Sequence, residues 1–245
     1  GVALSVAGLE QVLNRTTVPP EALDDLAKAF RDAAAFDAGG EGFFRAMAGE
    51  RTMHLVLLKD PDQMLRYLEV TGRNTPDENQ QFLNYAKQPG TLPKELGFFE
   101  DSFQKLLAAE REPFPARLKM DEVIQQRQAE AKAKGLLLSA FYWAGFSGVE
   151  NREARALADA RLAMAAVALA QFHAVHHQYP PALAELSPTY LPATPQDPFD
   201  GRSLRYEKKG PGYLLYSIGP DLKDDGGKRL SARGGDMTFA VSGTE

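Results

Sequence analysis

Apolar positions along the chain fall into two regimes. From residue 9 to about residue 150 they recur at helical spacing, interrupted by short breaks. Pro19-Pro20 leads into Leu23, Leu26, Ala27, Phe30 and Ala34, one face of a helix that Gly39-Gly40 ends. Asp60-Pro61 opens another, carrying Met64, Leu65, Leu68 and Val70 up to Gly72. A third runs from Pro76 to Gln88 and stops at Pro89-Gly90. A fourth spans Phe98 to Arg111, closed by Pro113 and Pro115, which cannot continue a helix. Ala116 to Tyr142 is the longest uninterrupted helical pattern. The apolar stretch from Gly135 to Val149 is too short to span a bilayer and predicts a buried helix end and turn.

The next helix, Asn151 to His177, carries two faces. Leu157, Leu162, Met164, Ala165, Ala168, Leu169, Phe172 and Val175 form a broad apolar arc. Asp159, Ala163, Ala166, Ala170, His173 and His177 run along the other side, where alanines admit a close neighbour. The pattern predicts a spine that packs on two sides. Beyond Gln178, prolines at 180, 181, 188, 192, 195 and 198 forbid a long helix or a central strand, leaving one or two helical turns over Ala182 to Leu186. Three runs of strand type follow, at 204–208, 213–218 and 237–241. Lys209-Gly210-Pro211-Gly212 is the turn of a hairpin, and 219–235 is an Asp/Gly-rich loop. The expected class is α+β: a helical region over 1–150, then, over 151–245, a long spine helix packed on a small three-stranded antiparallel sheet.

Composition narrows the chemistry. There are 28 Lys and Arg against 33 Asp and Glu, a net charge of −5, the wrong sign for a protein that tracks phosphates, so no nucleic-acid partner is expected. The 44% hydrophobic and 25% charged residues are those of a packed globular chain. With no cysteine, disulfides, thiolate metal sites and thiol nucleophiles are all excluded. The chain opens on Gly1 rather than Met, as a processed chain or a fragment does, and no basic segment leads into an apolar one as in a signal peptide.

Residues 152–241 carry a series of short elements in a particular order. Gln178-Tyr179-Pro180 is followed by Leu183 and Leu186, then Tyr190-Leu191-Pro192 and Pro195-Gln196-Asp197-Pro198-Phe199-Asp200-Gly201. Leu204-Arg205-Tyr206, Leu215-Tyr216-Ser217-Ile218-Gly219-Pro220-Asp221 and Gly235-Asp236-Met237 complete it. In order and spacing this stretch, a little over a third of the chain, resembles the globular domain of the major, G-type pseudopilins of type II secretion systems. Two departures stand beside it: Phe199 replaces the family's Trp, and about 150 mostly helical residues precede the module without a prepilin motif. The arrangement also resembles bacterial proteins that carry the module behind a helical region. The resemblance implies a non-enzymatic, periplasmic or extracytoplasmic protein acting in secretion or in the envelope through protein partners. It also implies that any membrane attachment lies in an anchor ahead of Gly1.

The loop holding Asp221, Asp224, Asp225 and Asp236 is the leading site, because calcium takes six to eight hard oxygens and a glycine-rich loop adds carbonyls to carboxylates. It is no EF-hand: counted from Asp221, the third position is Lys223 and the twelfth Ala232. The resemblance implies calcium held by Asp221 and Asp236, with Asp225 and Ser217 as further ligands. The alternative is a solvated turn whose carboxylates close Asx turns. His173 and His177 stand at metal-sharing spacing, but Ala174 occupies the place of a zincin Glu, and cations also suit a helix C-terminus. Phe141-Tyr142-Trp143 reads as core or interhelical contact. No nucleophile elbow, phosphate loop or paired-carboxylate motif is present, so no catalytic or organic-cofactor residue is assigned. Two other functions stay open: a helical module binding peptides or proteins in an apolar groove within 20–145, and a hydrolase with converging titratable groups.

Overall fold

The computed structural model describes residues 2–36, 41–72, 75–110, 112–229, 231 and 234–242. The helices are α1 (Val2–Arg15), α2 (Pro20–Phe36), α3 (Glu41–Leu57), α4 (Pro61–Thr71), α5 (Pro76–Ala86), α6 (Thr91–Glu110), α7 (Lys119–Ala133), α8 (Leu137–Ala144) and α9 (Val149–His176). Strands β1 (Arg205–Lys209), β2 (Gly212–Ser217) and β3 (Met237–Val241) form one antiparallel sheet in that order. The fold is α+β, as the periodicity predicts.

Packing divides the chain into two compact units, residues 1–39 with 151–245, and residues 40–150. The expected partition at residue 150 therefore differs in one respect: the first 39 residues fold with the C-terminal segment. The reason lies in α1. Asn14 Nδ2 donates to Ala240 O at 2.8 Å, and Asn14 Oδ1 accepts from Ser242 N at 2.9 Å. Glu10 Oε1 accepts from Ala240 N at 2.9 Å. Side chains of α1 thus satisfy backbone groups of β3 that face away from β2, and an edge strand is covered. Val6, Leu9, Leu23 and Ala27 of α1 and α2 are buried in the same unit.

Helix α9 is 28 residues long, and its middle is buried on every side: Ala163, Ala165, Ala166, Val167 and Leu169 are fully inaccessible. Both predicted faces are thereby occupied. Gln171 Nε2 donates to Asp24 of α2 at 2.6 Å, and Arg161 Nη1 donates to Gln196 O at 2.7 Å. The proline-rich segment makes one 3-10 turn, Leu183–Leu186, and buries Leu183, Leu186, Leu191 and Phe199. On the sheet, Tyr213, Leu215 and Ser217 of β2 and Met237, Phe239 and Val241 of β3 alternate inward, with Leu215 opposite Phe239.

The 40–150 unit is a helical array with an aromatic centre of Phe99, Phe103, Tyr142 and Trp143. Its starts are encoded locally. Asp60 accepts from Asp62 N and Gln63 N ahead of α4, and Thr75 and Glu78 form a reciprocal capping box on α5. The long pattern from 116 to 142 is broken, contrary to expectation. Gly135 turns left-handed at φ 67°, Leu136 N donates back to Ala131 O at 2.9 Å, and α8 starts afresh at Leu137. The fully buried Glu95 makes the restart possible by accepting from Leu138 N, Ser139 N, the Ser139 hydroxyl and Tyr85 OH. Of the aromatic run, Tyr142 and Trp143 enter the core, while Phe141 is 40% exposed. Arg117 and Glu150 form an interior ion pair at 2.6 Å.

Candidate cation-binding loop and its surroundings

The Asp-rich loop leaves β2 at Ser217 and returns at Met237. Asp221 Oδ1 accepts from Lys223 N at 3.2 Å, and Oδ2 accepts from Gly235 N at 3.0 Å, bonds that hold this carboxyl below the usual carboxylate range. Asp224 Oδ1 accepts from Gly226 N and from Tyr216 OH, both at 3.1 Å, and its other oxygen lies 3.5 Å from Arg205 Nε. The turns at Asp221 and Asp224 are Asx turns. Asp236 is buried and accepts from Asp225 N at 3.3 Å and Gly227 N at 2.6 Å. Its own N–H donates to Lys228 O at 2.7 Å. Gly235 makes this closure possible: its φ is 118°, and a Cβ there would stand 2.8 Å from Lys228 O.

Of the four expected ligands, three share the loop. Burial pushes Asp236 above the usual carboxylate range, and the negative charges of Asp224 and Asp225 add to the push despite two N–H donors. Asp221 reaches the same strand return through Gly235. Ser217 lies apart: its hydroxyl donates to Asp197 Oδ1 at 2.8 Å and accepts from Gly219 N at 3.2 Å. Among the described residues no group of three His, Asp or Glu side chains is placed to hold a metal ion, His173 and His177 included. His173 stacks on Tyr179 with ring centroids 4.6 Å apart.

Asp197 is the polar centre beside this loop, and the sequence reading gave it no such role. It is fully buried and accepts from Phe199 N at 3.0 Å, Ser217 Oγ at 2.8 Å, Ile218 N at 2.9 Å and Arg205 Nη1 at 2.9 Å. Arg205 also grips Asp200, so the Asp-Pro-Phe-Asp-Gly turn, the end of β2 and the start of β1 are fastened at one point. An Asp followed by Pro and then by a second Asp near Gly was the available signal, since such a turn has N–H groups for a carboxylate to collect.

His54 was also missed. It sits against Tyr142 and Phe99, with ring centroids 3.8 and 5.6 Å away, and burial pulls its pKa down to about 4. A cavity of about 50 Å³ opens beside it, lined by Tyr67, Phe82, Phe141, Tyr142 and Ser139 among others. That volume is far below the 300–1,000 Å³ of ordinary ligand sites, and too small for a peptide groove. The Ser139 hydroxyl donates to Glu95 and so belongs to the cap of α8.

No described helix is long and apolar enough to cross a membrane. Compared with protein-family models, with curated proteins and with solved structures, the chain has no match.

Proposed function

We propose that this chain is a non-enzymatic extracytoplasmic protein whose C-terminal segment is a pseudopilin-like module, acting in secretion or in the envelope by holding protein partners. The observation that carries the reading is the order of the module. A long helix runs into a proline-rich 3-10 segment, then a hairpin, then an Asp/Gly loop that returns a third strand beside the second. The motif order in 178–237 calls for that succession, and the buried Asp197 and Asp236 hold its two turns. In the native cell, fractionation followed by cross-linking is expected to find the chain outside the cytoplasm, joined to envelope proteins. Recovery from the cytoplasm alone overturns the reading.

The module is also proposed to bind calcium through Asp236, Asp225 and Asp221, which the ion draws together from positions where they are not clustered. The carboxyl of Asp236, raised by burial and by two neighbouring aspartates, is a place where a cation relieves unfavourable charge. At the affinity of extracellular calcium modules, with Kd on the order of 10⁻⁴–10⁻³ M, ~5 mM calcium stabilises the folded state by about 1–2 kcal/mol. Melting is therefore expected to rise by several degrees over a chelator control, and Asp225→Asn, which keeps the backbone bonds to Asp236, should weaken the rise. An unchanged melting temperature in calcium refutes the ion.

A further inference from the structure

The unit formed by 1–39 and 151–245 contains a cleft of about 430 Å³, bounded by the end of α1, the end of α9 and the β1–β2 turn. That is the size of a small-molecule site. Its charge is unusual for a chain of net −5: the lining includes Arg15, Lys208, His173 and His177 and not one carboxylate. Helix ends account for part of this. The C-termini of α1 and α9 each carry about half a negative charge. Arg15 and Lys208 supply two positive charges, leaving the cleft at about +1 before either histidine gains a proton. Arg15 is exposed and has no carboxylate partner among the described residues. Lys208 Nζ donates to Tyr179 O at 2.9 Å, which fixes the ammonium at the cleft and leaves its other N–H groups for a ligand.

The other walls are apolar or aromatic. Leu13, Val18 and Pro211 line the cleft, together with the half-buried ring of Tyr179 stacked on His173. His177 is one of two described non-glycine residues with positive φ, at 55°, and its N–H closes on His173 O at 2.8 Å. This left-handed turn sets the second histidine among the residues that line the cleft. We propose that the cleft binds a small organic anion, its carboxylate or phosphate met by Arg15 and Lys208 and its apolar body lying against Leu13, Val18 and Tyr179. This site does not depend on the calcium loop or on the cellular role proposed above.

Calorimetric titration of the whole chain with benzoate and with phenyl phosphate tests it, the two arms separating carboxylate from phosphate, with benzyl alcohol as the neutral control. One saturable site is expected for at least one anion, weakened about tenfold or more in Arg15→Ala/Lys208→Ala, equivalent to about 1.4 kcal/mol. The charge-keeping Arg15→Lys/Lys208→Arg should restore much of the binding. In the unaltered protein, the His173 and His177 ring resonances should shift on saturation, a readout independent of how the variants fold. No saturable binding of either anion at ~10 mM, equal binding of benzyl alcohol, binding indifferent to the double substitution, or unmoved histidine resonances each overturn the proposal.

Discussion

Asp197 gathers four hydrogen bonds on a carboxylate with no exposed surface, so removing its charge isolates what one residue does for two turns and two strands. Asp197→Asn keeps the shape but turns one acceptor into a donor, which then faces either Arg205 and Ile218 N–H or Phe199 N–H and Ser217. Breaking a buried pair from one side typically costs 3–5 kcal/mol; because Arg205 retains Asp200 and Asp224, a loss of about 3 kcal/mol is expected in urea unfolding. A loss below about 1 kcal/mol, the scale of a single neutral hydrogen bond, would contradict this account. His54 offers a test by pH. Its folded pKa of about 4 lies below the ordinary 6.5, so the unfolded chain binds more protons and stability falls as pH drops from 6.5 towards 4. Asp159 runs the other way, because burial raises its carboxyl to about 6 and the folded state holds that proton more tightly. The backbone carbonyl of Glu50, 3.1 Å from His54 Nδ1, favours the cation, but burial prevails. The difference between parent and His54→Phe isolates the histidine. The variant's deficit or gain at pH 7 should move in its favour on going to pH 5, by about 2 kcal/mol. A pH-independent difference in melting would refute it.

At the scale of elements, the sheet was legible and its cover was not. Strands expected at 204–208, 213–218 and 237–241 stand at Arg205–Lys209, Gly212–Ser217 and Met237–Val241, because alternation and a Gly-Pro-Gly turn are local signals. Asp60-Pro61 and the segment from Pro76 likewise mark real helix starts, through caps that lie within three residues. The break at 134–136 escaped because the capping carboxylate, Glu95, stands some forty residues earlier, and a lone glycine in a helical pattern does not announce a stop. The partnership of α1 with β3 escaped for the same reason at longer range, since Asn14 and Ala240 are separated by 226 positions. It is open to a direct test. Asn14→Ala removes an acceptor and a donor from an edge strand, and Glu10→Ala removes the acceptor of Ala240 N. Each is expected to lower stability by about 1–2 kcal/mol. The double variant should also associate at high concentration, because it bares strand backbone that a second chain can pair with. A double variant that stays monomeric in light scattering, with unchanged unfolding, would show that α1 only rests on the sheet.

At the scale of the whole chain, the unit boundary is a claim about which segments need one another. Composition and pattern place a division near 150, with the 151–177 helix as a spine shared by the two parts. The contacts add the first 39 residues to the C-terminal part. The centre of α9 is buried on both faces, and Leu23 and Ala27 of α2 are among the buried residues of its unit. Cutting the chain at 150 removes α1 and α2, bares apolar surface on α9 and strips β3 of its side-chain partners. At about 25 cal/mol per Å² of apolar surface, the loss of four buried side chains such as Val6, Leu9, Leu23 and Ala27 amounts to roughly 5 kcal/mol or more. That is comparable to the entire stability of a small unit. A fragment of 151–245 is therefore expected to lack a cooperative thermal transition, and co-expression with 1–39 as a separate chain should restore one. Residues 40–150 have their own aromatic core, caps and buried Arg117–Glu150 pair, and should melt cooperatively alone. If instead 151–245 melts as sharply and as high as the intact protein, the cover supplied by the first 39 residues is dispensable, and the boundary belongs at 150 after all. Should 1–39 restore the transition, the 40–150 unit is an insertion into a module whose first helix and last strand are partners.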